Sequence, residues 1–311
     1  MQEHTFYIPI IHFEHSLRKS YDLGHQFTLM PFPDDLEKEY RLFGHGYFKR
    51  RYGDELIKEI KRAYILKYVR HPEEFKSFND VIYKLEDPII SFLVVLRLLK
   101  PTEAVFKSIL FSPALTEGLP FDFIDYRLHA FHPRILDEHG RLVEGQEFEK
   151  FTEADLPNIT FYFGQLLNLL KNEFHYRRIF NTLRYFDLGY RSANIDTRLI
   201  CFSVAMEVLF KPLRGKLTRG MCVMIAEFLS KVNTERDQIY RRFVEIIDFR
   251  ARIIHGDMPY IDLSRPDKVE LVHDLEHFVR LSLQKIFRHD DLIEIFSSLR
   301  EREKYLATLA A

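Results

Sequence analysis

The spacing of apolar positions changes character near residue 150 of the 311-residue chain. In the first half, residues 4–14 alternate loosely and are rich in β-branched and aromatic side chains, which predicts a strand. Phe27–Met30 predicts a second strand, ended by Pro31 and Pro33. Residues 41–53 hold three glycines and read as loop or hairpin. Asp54–Val69 places Leu56, Ile57, Ile60, Tyr64 and Tyr68 along one side, predicting an amphipathic helix capped by Asp54. Pro88–Leu99 predicts a strongly apolar helix stopped by Lys100-Pro101, and Phe121–Phe131 alternates as a strand does. Residues 132–154 are polar, carry Gly140 and Gly145, and mark the expected boundary.

Beyond that boundary the apolar period is helical throughout. Helices are expected near 154–171, 174–188, 195–211, 218–231, 234–255, 266–288 and 290–307. Asp196, Thr218 and Asp290 supply starts, and Gly189, Gly215 and Gly256 supply stops. Short connections between long amphipathic helices imply antiparallel neighbours, hence an up-and-down bundle. The expected fold is mainly α, with a mixed α+β domain over 1–150 and a helical bundle over 151–311.

The helix expected over 234–255 carries the oddest pattern. Thr234 with Asp237 three residues later is a start signature, and Gly256 followed by Pro259 is the matching stop. Ile239, Phe243, Ile246, Ile247 and Ile254 form the apolar stripe, and Arg250 falls in its middle. A guanidinium there must meet a carboxylate, a phosphate or water, because an unpaired buried charge costs several kcal/mol. Glu207 lies on the same side as Ile200 and Val204 of an otherwise apolar helix, and is the natural partner. Asp248, Arg252 and His255 fall within about 60° of one another, whereas Arg250 is about 140° from His255 on a straight helix. Two arrangements would reconcile Arg250 with His255: unwinding at Gly256, or two copies of the helix meeting across a dimer axis. The carbonyl end of a helix attracts a cationic ring, and Asp248 or Asp257 adds to that attraction, which suits His255 to proton transfer.

The stretch Ile247-Asp248-Phe249-Arg250-Ala251-Arg252-Ile253-Ile254-His255-Gly256 resembles the signature of HEPN-domain proteins, in particular the Apea-like group. Arg250 and His255, four residues between them, match that family's Arg-x4-6-His pattern, with the small Ala251 where many members carry Asn. Ala205-Met206-Glu207-Val208-Leu209 looks like the family's alanine–apolar–glutamate–apolar–leucine helix. The resemblance extends over about residues 155–290. It implies a HEPN-type bundle, pairing as a homodimer through the Arg250–His255 helix, and RNA as the partner. It further implies a metal-independent endoribonuclease with Arg250 and His255 as the core pair and Asp248, Arg252 and Glu207 in support. A role in phage defence or a toxin-like role goes with it. The competing expectation is a non-catalytic module that binds RNA or a nucleotide, or cements a dimer, while residues 1–150 sense a trigger.

Composition narrows the alternatives. Hydrophobic residues at 46% and charged residues at 29% give a globular balance, and 29 Phe with 16 Tyr against 12 Gly favours helix over turn-rich β structure. A net charge of −1 argues against a nucleic-acid coat over the whole surface. Locally, Lys211–Arg252 holds ten Lys/Arg against five Asp/Glu, and Lys49–Arg70 holds eight against three. Tyr47, Phe48, Tyr52, Tyr64 and Tyr68 interleave with the second group, as in a solvated amphipathic helix or a single-stranded nucleic-acid surface. Cys201 and Cys222 read as buried thiols of a reducing compartment. The N-terminal residues lack a basic leader and Ile89–Leu99 is too short to span a bilayer, so a cytoplasmic protein without a membrane partner is expected. His12 with His15, His273 with His277, and His289-Asp290-Asp291 are the spacings that would bear on a metal, but none has the order of a known zinc motif. Neither a metal nor a cofactor is expected. Glycine-rich phosphate loops and G-x-S-x-G elbows are absent from the sequence.

Overall fold

The computed structural model of the chain describes residues 4–33, 62–70, 78–106, 108–112, 122–125, 149–212, 219–257 and 265–310. Among these residues, nine α-helices and one antiparallel sheet make a mainly helical protein. They divide into two compact units, the first running as far as Asn168 and the second starting at Leu169.

The first unit is a sheet with helices. Its strands are β1 (His4–Ile11), β2 (Tyr21–Gly24), β3 (Phe27–Pro31), β4 (Tyr64–Arg70), β5 (Val105–Phe106), β6 (Ser108–Ser112) and β7 (Asp122–Asp125). They lie in the order β2-β3-β4-β1-β6-β7, with β5 also paired to β1. A central strand tolerates proline poorly because a ladder donor is missing. Pro9 of β1 pairs in register with Ile65 of β4, and on the other side of the strand it falls between the β6 pairing at Thr5–Tyr7 and the β5 pairing at Ile10–Ile11.

Two expectations for this unit change. Tyr64–Val69, expected as the end of a helix, belongs to β4, hydrogen-bonded to β1 on one side and β3 on the other. Its Tyr64, Ile65, Leu66 and Tyr68 are all buried, so burial on both faces of a sheet outweighs the helical spacing of the tyrosines. The apolar helix, α1 (Phe78–Leu99), begins ten residues before Pro88 and carries that proline inside it. The loop expected at 41–53, the segment 54–61 and the connector at 132–148 lie outside the described residues, as does most of the basic Lys49–Arg70 stretch.

Residue 150 is not where the first unit ends. Phe151 is buried and bridges to His15, and Lys100 Nζ lies 2.8 Å from Glu149 and 3.0 Å from Asp155. After a short 3-10 turn (Glu153–Asp155), α2 (Leu156–Leu170) brings Phe163 onto Phe27 of β3 and Phe92 of α1, with ring centroids 5.1 and 5.5 Å apart. The first helix assigned to the bundle is therefore packed, through Asn168, with the sheet.

The second unit comprises α3 (Arg177–Tyr190), α4 (Ile195–Phe210), α5 (Arg219–Leu229), α6 (Asn233–Ile254), α7 (Pro266–Phe287), α8 (Asp290–Ser297) and α9 (Leu299–Leu309). Helix α3 packs most extensively on α4, α5 on α6, and α7 against both α4 and α6. Phe210, Phe228 and Phe296 join α4, α5 and α8 through ring contacts of 5.1 to 5.8 Å. The helix expected at 290–307 is two helices. Ser298 adopts extended backbone between them, and its Oγ accepts the Glu301 N–H to cap α9. Gly189 is not a stop: α3 continues to Tyr190, and a Cβ on Gly189 would lie 2.2 Å from the ring of Phe202. Gly215 and Thr218 lie outside the described residues. Among the described residues no helix is long and apolar enough to cross a membrane.

Candidate functional site

Helix α6 holds the residues singled out from the sequence, but its start and its buried face differ from expectation. Val232 occupies the N-cap without a capping side chain, and Thr234 lies inside the first turn. Ser230 ties the entry instead: its Oγ accepts the Val232 N–H at 3.0 Å and donates to Glu235 at 2.8 Å. Phe243, Ile246 and Phe249 form the buried stripe, whereas Ile254 is 51% exposed. Arg250 thus lies at the margin of the packed face and not in its centre.

From that margin Arg250 reaches the last turn of α4. Its Nη2 lies 2.8 Å from Glu207 Oε1, with the two side chains 19% and 15% exposed. The approach is off hydrogen-bonding angles, so the contact is an ion pair, and Arg250 Nε is buried without an acceptor among the described residues. Glu207 also faces Lys211 Nζ at 3.6 Å, one helical turn on. Ile200, expected on a core stripe with Glu207, is 37% exposed, so this carboxylate sits on the edge of α4.

The end of α4 is held by two further arginines. Arg178 of α3 donates to the Val208 carbonyl at 2.9 Å. Arg302 of α9, almost wholly buried, donates through Nη1 to Leu209 O at 3.0 Å and through Nη2 to Lys211 O at 2.9 Å. These carbonyls have no partner within α4, and cations satisfy both their hydrogen bonding and the negative end of the helix dipole. Burial is the main force pushing the Arg302 guanidinium down to about 10, reinforced by Arg178 beside it. Sequence reasoning missed both arginines. A signal for Arg302 existed, since it lies four and seven residues before the buried Leu306 and Leu309 and so occupies an apolar register position.

His255 stands at the other end of the geometry. It is exposed, has right-handed helical backbone (φ −83, ψ −2), and its N–H still bonds to Ala251 O. The chain turns only at Gly256, with φ +75, where Gly256 N–H meets Ile253 O and Asp257 N–H meets Arg252 O. That pair of bonds is a Schellman stop built on a left-handed glycine. The helical winding therefore runs through His255, and unwinding does not re-aim its ring toward Arg250. The two lie about 140° apart around α6.

Asp248 and Arg252 are exposed on the same side as His255. In α5 the buried Cys222 thiol is pushed up to about 11, chiefly by burial and further by the charge of Asp248. The five predicted residues thus fall into two sets: Glu207 with Arg250 in an ion pair, and Asp248, Arg252 and His255 along an open face. A recess of about 230 Å³ between α5 and α6, lined by Glu227, Arg236 and Tyr240, lies at the opposite end of α6. Among the described residues, no three His, Cys, Asp or Glu side chains cluster as a metal site would require.

Comparison of the chain with family models, with curated proteins and with solved structures gives no match in any of the three.

Proposed function

We propose that the second unit is a HEPN-type, metal-independent endoribonuclease whose site is completed by a second copy of the chain. The observation that carries this reading is the Arg250–Glu207 ion pair set against the exposed His255 about 140° around the same helix. Glu207 orients a cation fit to hold a phosphate, and an open imidazole awaits a phosphate elsewhere; neither half is a site by itself. A twofold pairing of α6 brings the Arg250 of one copy toward the His255 of the other.

In that composite site the ribose 2′-oxygen attacks the phosphorus and the bond to the 5′-oxygen breaks. His255 and a second group move the two protons, one off the 2′-hydroxyl and one onto the leaving 5′-oxygen, giving a cyclic phosphate and a free 5′-hydroxyl. Arg250 stabilises the charge gathered on the phosphoryl oxygens, with Arg252 and Asp248 in support. By the family resemblance, RNA is the substrate and defence or a toxin-like role the setting.

A second reading is favoured by the same ion pair. Arg250 is already neutralised by Glu207, so the pair can serve as a dimer or RNA-binding element without chemistry. Incubation of the full chain with RNA in EDTA separates the two. Cleavage that disappears in Arg250→Ala and in His255→Ala supports the nuclease; cleavage unchanged by either substitution contradicts it.

A further inference from the structure

Two cations of the second unit share one carboxylate. Arg250 Nη2 lies 2.8 Å from Glu207 Oε1, and Lys211 Nζ lies 3.6 Å from Glu207 Oε2. The first contact is incompletely satisfied. Among the described residues, Glu207 Oε1 accepts no hydrogen bond and Arg250 Nε is buried without an acceptor. The two groups hold each other by charge and keep hydrogen-bonding capacity for a better partner. A phosphate is that partner for a guanidinium, because its oxygens accept two parallel N–H groups.

Lys211 is placed to take up the carboxylate that such an exchange releases. Its backbone is fixed on both sides: the N–H donates to Glu207 O at 2.9 Å, and the carbonyl accepts Arg302 Nη1 at 3.1 Å and Nη2 at 2.9 Å. The side chain, 40% exposed, keeps its freedom. A glutamate four residues before a lysine is the favourable order on a helix, since the lysine then stands toward the carbonyl end. A part-buried carboxylate that loses its only cation is left desolvated and unpaired. Glu207 escapes that penalty because a second cation waits one turn on.

We propose that Lys211 is a positioning residue for phosphate capture: it draws Glu207 aside when Arg250 turns to a phosphate. Without Lys211, Glu207 competes with the phosphate for the guanidinium. Glu207 then has two effects, its shape aiming Arg250 and its charge contending for it. The inference rests on Arg250 as the phosphate holder of the proposed site, and requires neither cleavage nor His255.

The test is binding of the full chain to a fluorescent 2′-O-methyl oligouridine, read by anisotropy; its ribose lacks the nucleophilic hydroxyl, so cleavage does not enter. Lys211→Met should weaken binding about two- to fivefold, the factor that goes with a partly exposed ion pair, and Lys211→Arg should restore it. Glu207→Gln keeps an acceptor for Arg250 without the charge and should bind tighter than wild type. In that background the loss caused by Lys211→Met should shrink. An equal loss in both backgrounds would mark Lys211 as an ordinary phosphate contact and overturn the proposal, as would binding unchanged by Lys211→Met. Arg250→Met separates this inference from the reading beneath it. If Arg250→Met leaves binding unchanged, Arg250 holds no phosphate and both fail; if it weakens binding while Lys211→Met does not, this inference alone fails.

Discussion

Arg250 of α6 and Glu207 of α4 meet at 2.8 Å at the margin of the helical unit, not in its core. With 15 to 19% of each side chain exposed, the pair is screened less than a surface bridge and desolvated less than a buried one. Replacing Glu207 with Gln should therefore cost on the order of 1–2 kcal/mol, short of the roughly 3–5 expected when a fully buried pair is broken. Chemical denaturation of Glu207→Gln, Arg250→Met and the double variant measures the coupling. The double variant should lose less than the sum of the singles.

The stop of α6 separates two residues that adjoin in sequence. His255 is exposed, so His255→Ala should change stability by no more than about 0.5 kcal/mol. Gly256 has φ +75, and among the described residues a Cβ added there would meet nothing within 4 Å, so the expected cost of Gly256→Ala is that of a left-handed backbone. That cost is about 1 kcal/mol, and a thermal or urea melt should resolve it. The contrast keeps His255→Ala usable as a test of chemistry.

Gly189 reverses the usual sign of a helix substitution. Gly to Ala inside a helix ordinarily gains about 0.5–1 kcal/mol. Here the new Cβ would lie 2.2 Å from the ring of the buried Phe202. Overpacking wins, and Gly189→Ala should destabilise by about 1–3 kcal/mol. A companion Phe202→Leu should recover part of the loss in the same denaturation assay.

His273 contributes a pH dependence whose sign follows from its surroundings. Burial, then Arg198, holds its pKa below the ordinary 6.5, against weaker opposition from Asp274 and Glu270. The unfolded chain therefore binds this proton more readily than the folded one. The contribution is complete above about pH 6.5 and is lost as pH falls through the lower folded value. Urea midpoints measured from pH 7.5 down to 5 should fall less for His273→Asn than for wild type. Some fall remains, since His277 is shifted in the same direction by burial and Arg280.

Periodicity located six of the seven helices expected beyond residue 150 to within a few residues, because long amphipathic segments repeat their signal over several turns, but it ran the two helices after Asp290 into one. It failed at Tyr64–Val69, where Tyr64, Leu66 and Tyr68 are buried on one face of a central strand and Ile65 on the other. A short apolar run does not carry enough turns to tell one period from the other. Gly189 misled for a related reason: a glycine that admits a neighbouring ring looks in sequence like one that ends a helix. The pairing of Glu207 with Arg250 was legible because each reads as a charge within an apolar stripe, although both turn out to lie at the margin of the packed faces. The arginines that hold the end of α4 were not, since α9 is so rich in charge that Arg302 stands out only by register.

The claim that one chain carries two separated halves of a site is tested most directly by complementation. Arg250→Ala and His255→Ala chains, each inactive alone, are co-expressed, purified together and assayed on RNA in EDTA beside the wild type. If the halves come from different copies, mixed dimers regain one intact site of two, and about a quarter of wild-type activity should return. A mixture as inactive as its components, beside a wild type that cleaves, would show that both residues act within one chain and would contradict the account.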